Sequence, residues 1–379
     1  PQVREINYRH FFGVSAGVCG IEGRYHDLSV TYTQTGGTIL PGYGRGSNFF
    51  GASGGAPGFP FMLGWQDWNF PEKAARNNWL VHEEQLNSSI EMTSTKSIQA
   101  RGVFEPFQGF KLTLSALRSF SENKSMYFTW DPVTNSYPDE YRSPLTIGDY
   151  SISILALGTS FEKSDKSNNY YSAVFERFKN NRTTIASRRA TELRGKDVGY
   201  SAASDGAGGY DGYNVAAQQV MIPAFYAAYT GRDPDKVPII DFPDLWTILP
   251  NGDVSFDGLS NIPFVKQYFK SVILKHSYKA VYRIGGYASN LDYDLSSAVS
   301  HVRDMQNNFI PRNDITSARI EEAFGPLGGI DLTFLNSLST RFEIKRTRSV
   351  SIGMTNLQLA ENKTQDYVVG MGYVFNDVS

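Results

Sequence analysis

The first candidates for chemistry in this sequence are two copies of the pattern G-x-S-x-G, centred on Ser15 and Ser53. In hydrolases this pattern holds a nucleophilic serine on a strained turn between a strand and a helix. Here Ser15 is soon followed by Gly17 and Ser53 by Pro57, and more glycine or proline follows in each case. Because neither serine precedes a helix-forming segment, we expect loop glycines in both places.

Metal, phosphate and calcium sites also lack the spacing that they need. The five histidines are scattered, and no two stand four residues apart as in a helical zinc site. The single Cys19 excludes a multi-cysteine zinc or iron–sulfur site in this chain. No G-x-x-x-x-G-K-[ST] loop is present, and residues 233–235 fit a turn better than a calcium loop. We expect no cofactor, no metal and no enzyme.

Charge does not point to nucleic acid either. The chain has 36 basic and 38 acidic residues, a net charge of −2, which disfavours a surface adapted to bind nucleic acid. One basic cluster runs from Arg177 to Lys196. It could contact an anionic partner or lipid headgroups, but the solvated face of a helix is the simpler interpretation.

The composition suits strands better than membrane-spanning helices. There are 25 Phe, 22 Tyr, 5 Trp and 35 Gly, with 20% charged residues, a mixture typical of twisted sheets with aromatic belts. Two uncharged stretches could be mistaken for transmembrane helices. Residues 46–66 contain too many Gly and Pro and predict a loop, whereas residues 212–231 predict a short amphipathic helix kinked at Pro223.

The strongest local pattern is period-two alternation from Val272 to Ile284, which predicts a strand longer than the 9–11 tilted residues that cross a bilayer. His276 falls on its apolar face and is expected to be packed or interfacial. The same alternation recurs from Ile330 to Ile344, and further strands are expected to open at Val350 and at Tyr367. Shorter pieces lie at 28–32, 110–116 and 152–156.

Apolarity alone assigns the two faces of these strands. The residues predicted to face lipid are Val272, Leu274, Tyr278, Tyr282, Ile330, Leu332, Phe334 and Phe342. The residues predicted to face a water-filled lumen are Lys275, Lys279, Arg283, Arg341, Glu343 and Lys345.

The fold class predicted is therefore an all-β membrane protein, an antiparallel transmembrane β-barrel segment with long loops. Residues 1–160 would supply barrel strands with a long Gly/Pro-rich loop at about 36–80. Residues 161–250 lose the alternation and predict an extramembrane, partly helical insertion. Residues 251–379 would supply more barrel strands, with a loop at about 288–312.

Several unusual strings in this sequence together resemble the SprA/Sov family, the outer-membrane translocon of the type IX secretion system. The match extends over most of the chain, and its specificity rests on the order and number of the strings. The matching strings are Leu40-Pro41-Gly42-Tyr43, Ala74-Ala75-Arg76-Asn77-Asn78-Trp79-Leu80, Ile222-Pro223-Ala224-Phe225, residues 228–234, residues 266–271, Asn308-Phe309-Ile310-Pro311-Arg312, and the run from Phe324 to Glu343.

The resemblance implies a single-chain barrel of exceptional strand number in the outer membrane of a Gram-negative bacterium. It implies export of folded proteins that carry a C-terminal sorting domain, and in some members a link to gliding motility. The implied partners are membrane lipid, a plug protein and a smaller PorV-type shuttle barrel. Family members run to thousands of residues and this chain begins at Pro1 without Met, so we expect a fragment.

Two other classes of protein remain open from the sequence. A smaller nutrient porin or receptor barrel would need a chain that closes on itself. A soluble β-rich carbohydrate-binding module would place the same apolar faces in a core, because alternation cannot tell lipid from a second sheet.

Overall fold

The long alternating segments fold into one antiparallel sheet of ten strands in a computed structural model. The structure describes residues 5–16, 27–44, 67–82, 88–127, 130–137, 142–164, 166–193, 203–294 and 302–374. The strands are β1 Glu5–Ala16, β2 Asp27–Ile39, β3 Ile90–Phe107, β4 Phe110–Tyr127, β5 Arg142–Ser153, β6 Asn251–Phe256, β7 Phe269–Ser289, β8 Asn313–Phe334, β9 Leu338–Gly353 and β10 Leu359–Tyr373. The fold is thus mostly antiparallel β with few helices, as predicted.

The helices in the described part of the chain are few. They are α1 Phe70–Arg76, α2 Ala173–Leu193, α3 Gln218–Thr230 and the single turn α4 Pro263–Lys266. Within the described ranges, none of them combines the length and the apolarity that a bilayer span requires.

The order of strands in the sheet follows their order in the chain, except that β5 and β6 together occupy the single position between β4 and β7. β5 lies between the upper parts of β4 and β7, and β6 lies between their lower parts. The chain leaves the sheet after Ser153 and returns at Asn251. The Leu249 amide donates to the Ser153 carbonyl at 3.1 Å, so β5 and β6 form one strand interrupted by residues 154–250, here called the insertion.

The two ends of the sheet differ in their connections. At the end we call lower, β3 and β4 are joined by residues 108–109, and β8 and β9 by residues 335–337. Gly109 and Ser337 take positive φ values of 82° and 65° in these tight turns. At the upper end three connections are long, spanning residues 40–89, 128–141 and 290–312, and one is short, at residues 354–358.

Several boundaries differ from those expected. The stretch from Ile330 to Ile344 is a hairpin and not one strand, because Asn336 and Ser337 reverse the chain. Val350 belongs to the end of β9 and opens no new strand. The loop expected at 36–80 includes the end of β2 and helix α1, and the expected loop at 46–66 lies outside the described residues.

The insertion packs its helices against the upper half of one sheet face. Helix α3 was predicted to be amphipathic, but every residue from Val220 to Thr230 is buried. Phe225 meets Phe178 of α2 on one side, and Tyr226 meets Tyr282 of β7 on the other, with ring centroids 6.4 Å and 5.1 Å apart. The helix is buried all round because it lies between α2 and the sheet.

Pro223 stands inside α3 and lacks the amide that would bond to the carbonyl of Gln219. Arg189 of α2 donates its Nε to that carbonyl at 3.4 Å. The lost helical bond is thereby replaced by a contact that also ties α2 to α3.

Candidate functional site

The face on which the insertion packs, here the insertion face, can be followed across the sheet row by row. Residues paired in an antiparallel ladder point their side chains to the same face. One row near the lower end crosses six strands and is apolar throughout. It consists of Phe110, Phe256, Leu274, Ile330, Phe342 and Val369.

The rows beside it are mostly apolar, with His276 in one and Thr340 in the other, and together they form the apolar band. On β2 the band contains Leu28 and Val30, which are 41% and 42% exposed. On β10 it ends with Tyr367 and Val369, 71% and 65% exposed. The band therefore runs across the sheet from β2 to β10, and apart from Val272 beneath the β6–β7 connection it has no covering layer among the described residues.

A groove of ≈ 560 Å³ lies in the band where β7, β8, β9 and β10 meet. The pairing of β8 with β9 is interrupted between Phe324 and Gly328, which opens the surface there. Leu274, Ile330 and Phe342 line its floor. His276 lies at its edge with Nδ1 2.6 Å from the Leu327 carbonyl oxygen, a packed position as the sequence predicts.

Aromatic side chains gather along the lower border of the band. Phe107 and Phe110 lie 4.9 Å apart between ring centroids, and Phe256 is within 6.4 Å of both. Phe269 pairs with Phe334 at 4.7 Å. We call these five residues the lower girdle.

The opposite face of the same strands is polar. Asp331 takes ion pairs from Lys275 and from Arg341, the second at 3.0 Å, and Lys345 pairs with Glu343 at 3.2 Å. Higher on this face, the side chain of Arg283 reaches Glu321 at 3.0 Å, and Lys279 is exposed. All six residues predicted to face a lumen lie on this polar face.

The eight residues predicted to face lipid share the insertion face, but not all are exposed. Leu274, Ile330, Leu332, Phe334 and Phe342 lie in the uncovered band. Val272 is buried by the β6–β7 connection, where its amide donates to Ser260 Oγ at 2.8 Å.

The lipid-facing prediction is wrong for Tyr278 and Tyr282. They are 4% and 0% exposed because the insertion covers them. Alternation identifies the face on which a side chain lies, but it cannot identify what covers that face.

A buried ion pair between β8 and β9 lies beneath the insertion. Glu322 and Arg348 are 1% and 3% exposed in their side chains and lie 3.0 Å apart. Arg348 also donates its Nε to Glu361 at 2.6 Å, and Tyr278 donates its hydroxyl to Glu322 at 3.0 Å. We call Glu322, Arg348 and Glu361 the clamp.

Hydroxyls of the insertion complete the clamp. Ser160 donates to the Glu322 carboxylate, and Arg348 donates to Thr159 Oγ1 at 3.2 Å. Sequence reasoning missed this cluster. Its signal was Glu322 in the apolar phase of β8, between Ile320 and Phe324, where a lone carboxylate would be costly without a partner.

Residues 154–162 leave the sheet at mid-height and run across its strands; we call them the strap. The Ala156 amide donates to Tyr278 Oη of β7 at 2.9 Å. Arg346 of β9 donates to the Ser160 carbonyl at 3.0 Å, and Lys363 of β10 to the Glu162 carbonyl at 3.1 Å. The strap therefore marks the upper border of the apolar band from β7 to β10.

Some polar groups of the insertion are satisfied within it. From the basic cluster, Arg188 donates to the carbonyls of Pro234 and Val237 at 2.6 and 2.8 Å, so it is a packing residue. Burial raises the pKa of Asp241, although the charge of Arg189 opposes the shift. The Asp235 amide donates to Asp233 Oδ1 at 3.0 Å, the turn that the sequence predicts.

The described residues bring together no group of three or more His, Cys, Asp or Glu side chains that could hold a metal. Ser15 of the first G-x-S-x-G pattern lies in β1, and Ser53 of the second lies outside the described residues. The arrangement that stands out among the described residues is therefore a surface, apolar on one face of the sheet and charged on the other. No family model matches the chain, and no curated protein matches it.

Proposed function

We propose that this chain forms part of the wall of an outer-membrane β-barrel that conducts folded proteins, as in the type IX secretion translocon. The observation that carries the proposal is the exposed apolar band backed by a charged face. Lipid-facing and water-facing residues alternate along every strand of such barrels. In this proposal Leu274 and Phe342 contact lipid, while Lys275 and Arg341 line water.

The height of the band supports a bilayer. From Phe269 to the strap at Tyr278, β7 runs ten residues. At about 3.3 Å per residue this is roughly 30 Å of strand. With a tilt of about 40°, the strand covers roughly 23 Å along the membrane normal, near the ~25 Å apolar band of outer-membrane barrels.

The two borders and two ends of the sheet support an orientation. Outer-membrane barrels have aromatic girdles, short periplasmic turns and longer extracellular loops. The tight turns at 108–109 and 335–337 suit the periplasmic side. The insertion and the long upper connections would then lie outside the cell.

A soluble carbohydrate-binding module fits these observations less well. Soluble monomers rarely expose a continuous apolar patch of more than a few hundred square ångströms. Here the patch crosses the sheet from Leu28 to Val369. A soluble sandwich would bury such a face beneath a second sheet.

The passage of proteins, the PorV-type shuttle, the plug and the sorting-domain cargo are proposed from the family resemblance. A smaller nutrient barrel would share the band but pass no folded protein. The two differ in what touches the polar face, and this difference can be tested.

The test is photocrosslinking during export, with benzoylphenylalanine placed at Lys279 or at Leu274. Both positions lie on β7, on opposite faces of the wall. We expect exported protein to crosslink from Lys279 and not from Leu274. Equal cargo crosslinking from the two positions, or none from Lys279 while export proceeds, would contradict the proposal.

A further inference from the structure

The upper border of the apolar band carries a row of outward apolar side chains that belong to the insertion and not to the strands. In the strap these are Leu155, Leu157 and Phe161, 40%, 41% and 50% exposed. They alternate with the buried Ile154, Ala156 and Thr159, which face the sheet.

The returning segment adds two more apolar residues on the other side of β5 and β6. It runs down the insertion face from Phe242, which packs on Phe120 of β4 at 5.4 Å, to Leu249, which bonds to Ser153. Between these anchors lie Leu245, 37% exposed, and Trp246, 94% exposed. We call Leu155, Leu157, Phe161, Leu245 and Trp246 the rim.

Cations stand on the insertion face beside the rim. Arg118 of β4 is paired in register with Ile152, near the point where the returning segment rejoins the sheet. Arg346 of β9 lies 4.8 Å from the ring centroid of Phe161, and Lys363 of β10 holds the end of the strap. Apolar and aromatic groups with cations beside them are the composition of a membrane interface.

We infer that the rim is an interfacial membrane anchor, which seats the underside of the insertion on the headgroups and first methylenes of the outer-leaflet lipids. The inference rests on the proposed function, because it needs lipid against the band. The upper girdle would then be supplied by the insertion, whereas the lower girdle comes from the strands and their hairpins.

A lipid occupant accounts for the position of the rim as well as its chemistry. The rim follows the border of a band already sized for a bilayer, at two places on either side of the interrupted strand. Tryptophan is enriched at this depth because its ring is apolar and its indole N–H needs a polar partner. Trp246 is 94% exposed, and interfacial lipid would supply such surroundings.

The test is the depth of a nitroxide at residue 246, using Trp246→Cys in a Cys19→Ser background in lipid bilayers. Leu274→Cys in the band and Val133→Cys, whose native side chain is 91% exposed in an upper turn, are the matched controls. Power saturation compares collisions with oxygen, which partitions into lipid, and with an aqueous nickel chelate. We expect an oxygen-to-nickel ratio at 246 severalfold above that at 133 and below that at 274.

The outcomes separate this inference from the proposed function. A ratio at 246 equal to that at 133, with 274 in lipid, overturns the anchor but leaves the membrane wall standing. An aqueous 274 overturns the membrane wall itself. Access of neither reagent to 246 means that protein covers the rim, which also overturns the lipid assignment.

Native tryptophan fluorescence gives a second readout that needs only a conservative variant. Lipids brominated near the headgroup should quench the wild-type protein more than Trp246→Phe. Equal fractional quenching of the two proteins would contradict the anchor.

Discussion

The lower and upper halves of β7 have the same alternation and opposite surroundings. Leu274 in the lower half is 38% exposed in the apolar band, whereas Tyr282 in the upper half is fully buried under α3. One face of one strand thus serves as an outer surface and as a protein core. The difference arises because the strand between β4 and β7 is interrupted, and the insertion folds back over the upper half only.

The largest expected effect is at the clamp, because it holds the insertion onto the upper half. Arg348→Met removes the buried cation and leaves the Glu322 carboxylate with hydroxyl donors but without its cationic partner. Breaking a buried ion pair in this way costs about 3–5 kcal/mol. Hydrogen exchange of the α3 amides should show this loss as a lower free energy of opening.

The matched control for the clamp is Arg283→Ala, which removes an ion pair on the exposed polar face. Side chains of Arg283 and Glu321 are 50% and 39% exposed, and such pairs are worth about 1 kcal/mol or less. If Arg348→Met opened α3 no more than this control, the clamp would not hold the insertion.

A charge placed in the lower half should be costly only on one face. Leu274→Arg puts a cation in the apolar band, where arginine near the bilayer midplane costs roughly 2–4 kcal/mol. Thr333→Arg puts the same group on the polar face, where we expect little effect. The yield of folded protein in the outer-membrane fraction measures the effect of each substitution. Equal losses of yield for Leu274→Arg and Thr333→Arg would refute the assignment of faces.

The smallest effect concerns a contact between the insertion and the β7–β8 connection. Arg303 donates to both carboxylate oxygens of Asp211, at 2.6 and 3.0 Å. These hydrogen bonds, reinforced by the charge of Arg303 and opposed by partial burial, hold the pKa of Asp211 below its ordinary value. The pair loosens only when Asp211 takes up a proton.

The direction of the pH effect follows from the linkage between protonation of Asp211 and stability. A carboxyl whose pKa is lower in the folded state adds stability that is fully present above its unfolded pKa and lost as pH falls through the folded value. Asp211→Asn should therefore lower the free energy of opening of residues 302–310 at pH 7 by about 1 kcal/mol or less. Faster hydrogen exchange of these amides would show the loss. As pH falls through the folded pKa of Asp211, the variant and the wild type should converge, and a difference that does not shrink with falling pH would refute the contribution of Asp211.

Much of the sheet could be predicted from the sequence because alternation is a local property of a strand. The segment from Val272 to Ile284 lies within β7, and Leu28 and Phe110 lie in β2 and β4. The hairpin at 335–337 was missed because Leu335 continues the apolar run, and only Asn336 and Ser337 indicate a turn.

The covering of the upper half could not be predicted in the same way. Tyr282 and Leu274 carry the same period-two signal, and their different burial depends on residues 154–250, which are distant in sequence from β7. In the sequence, the clamp is indicated only by Glu322, a carboxylate on an apolar strand face. Its partners Arg348 and Ser160 follow only from the register of β8 with β9 and the path of the strap.

The most direct test of the account is cysteine labelling along β7 in native membranes, in a Cys19→Ser background. A water-soluble maleimide should label Lys275→Cys and Lys279→Cys but neither Leu274→Cys nor Tyr282→Cys. A membrane-soluble maleimide should then label Leu274→Cys and still spare Tyr282→Cys, because lipid covers the first and protein the second. Rapid labelling of Leu274→Cys by the water-soluble reagent would contradict the central claim that the apolar band faces lipid.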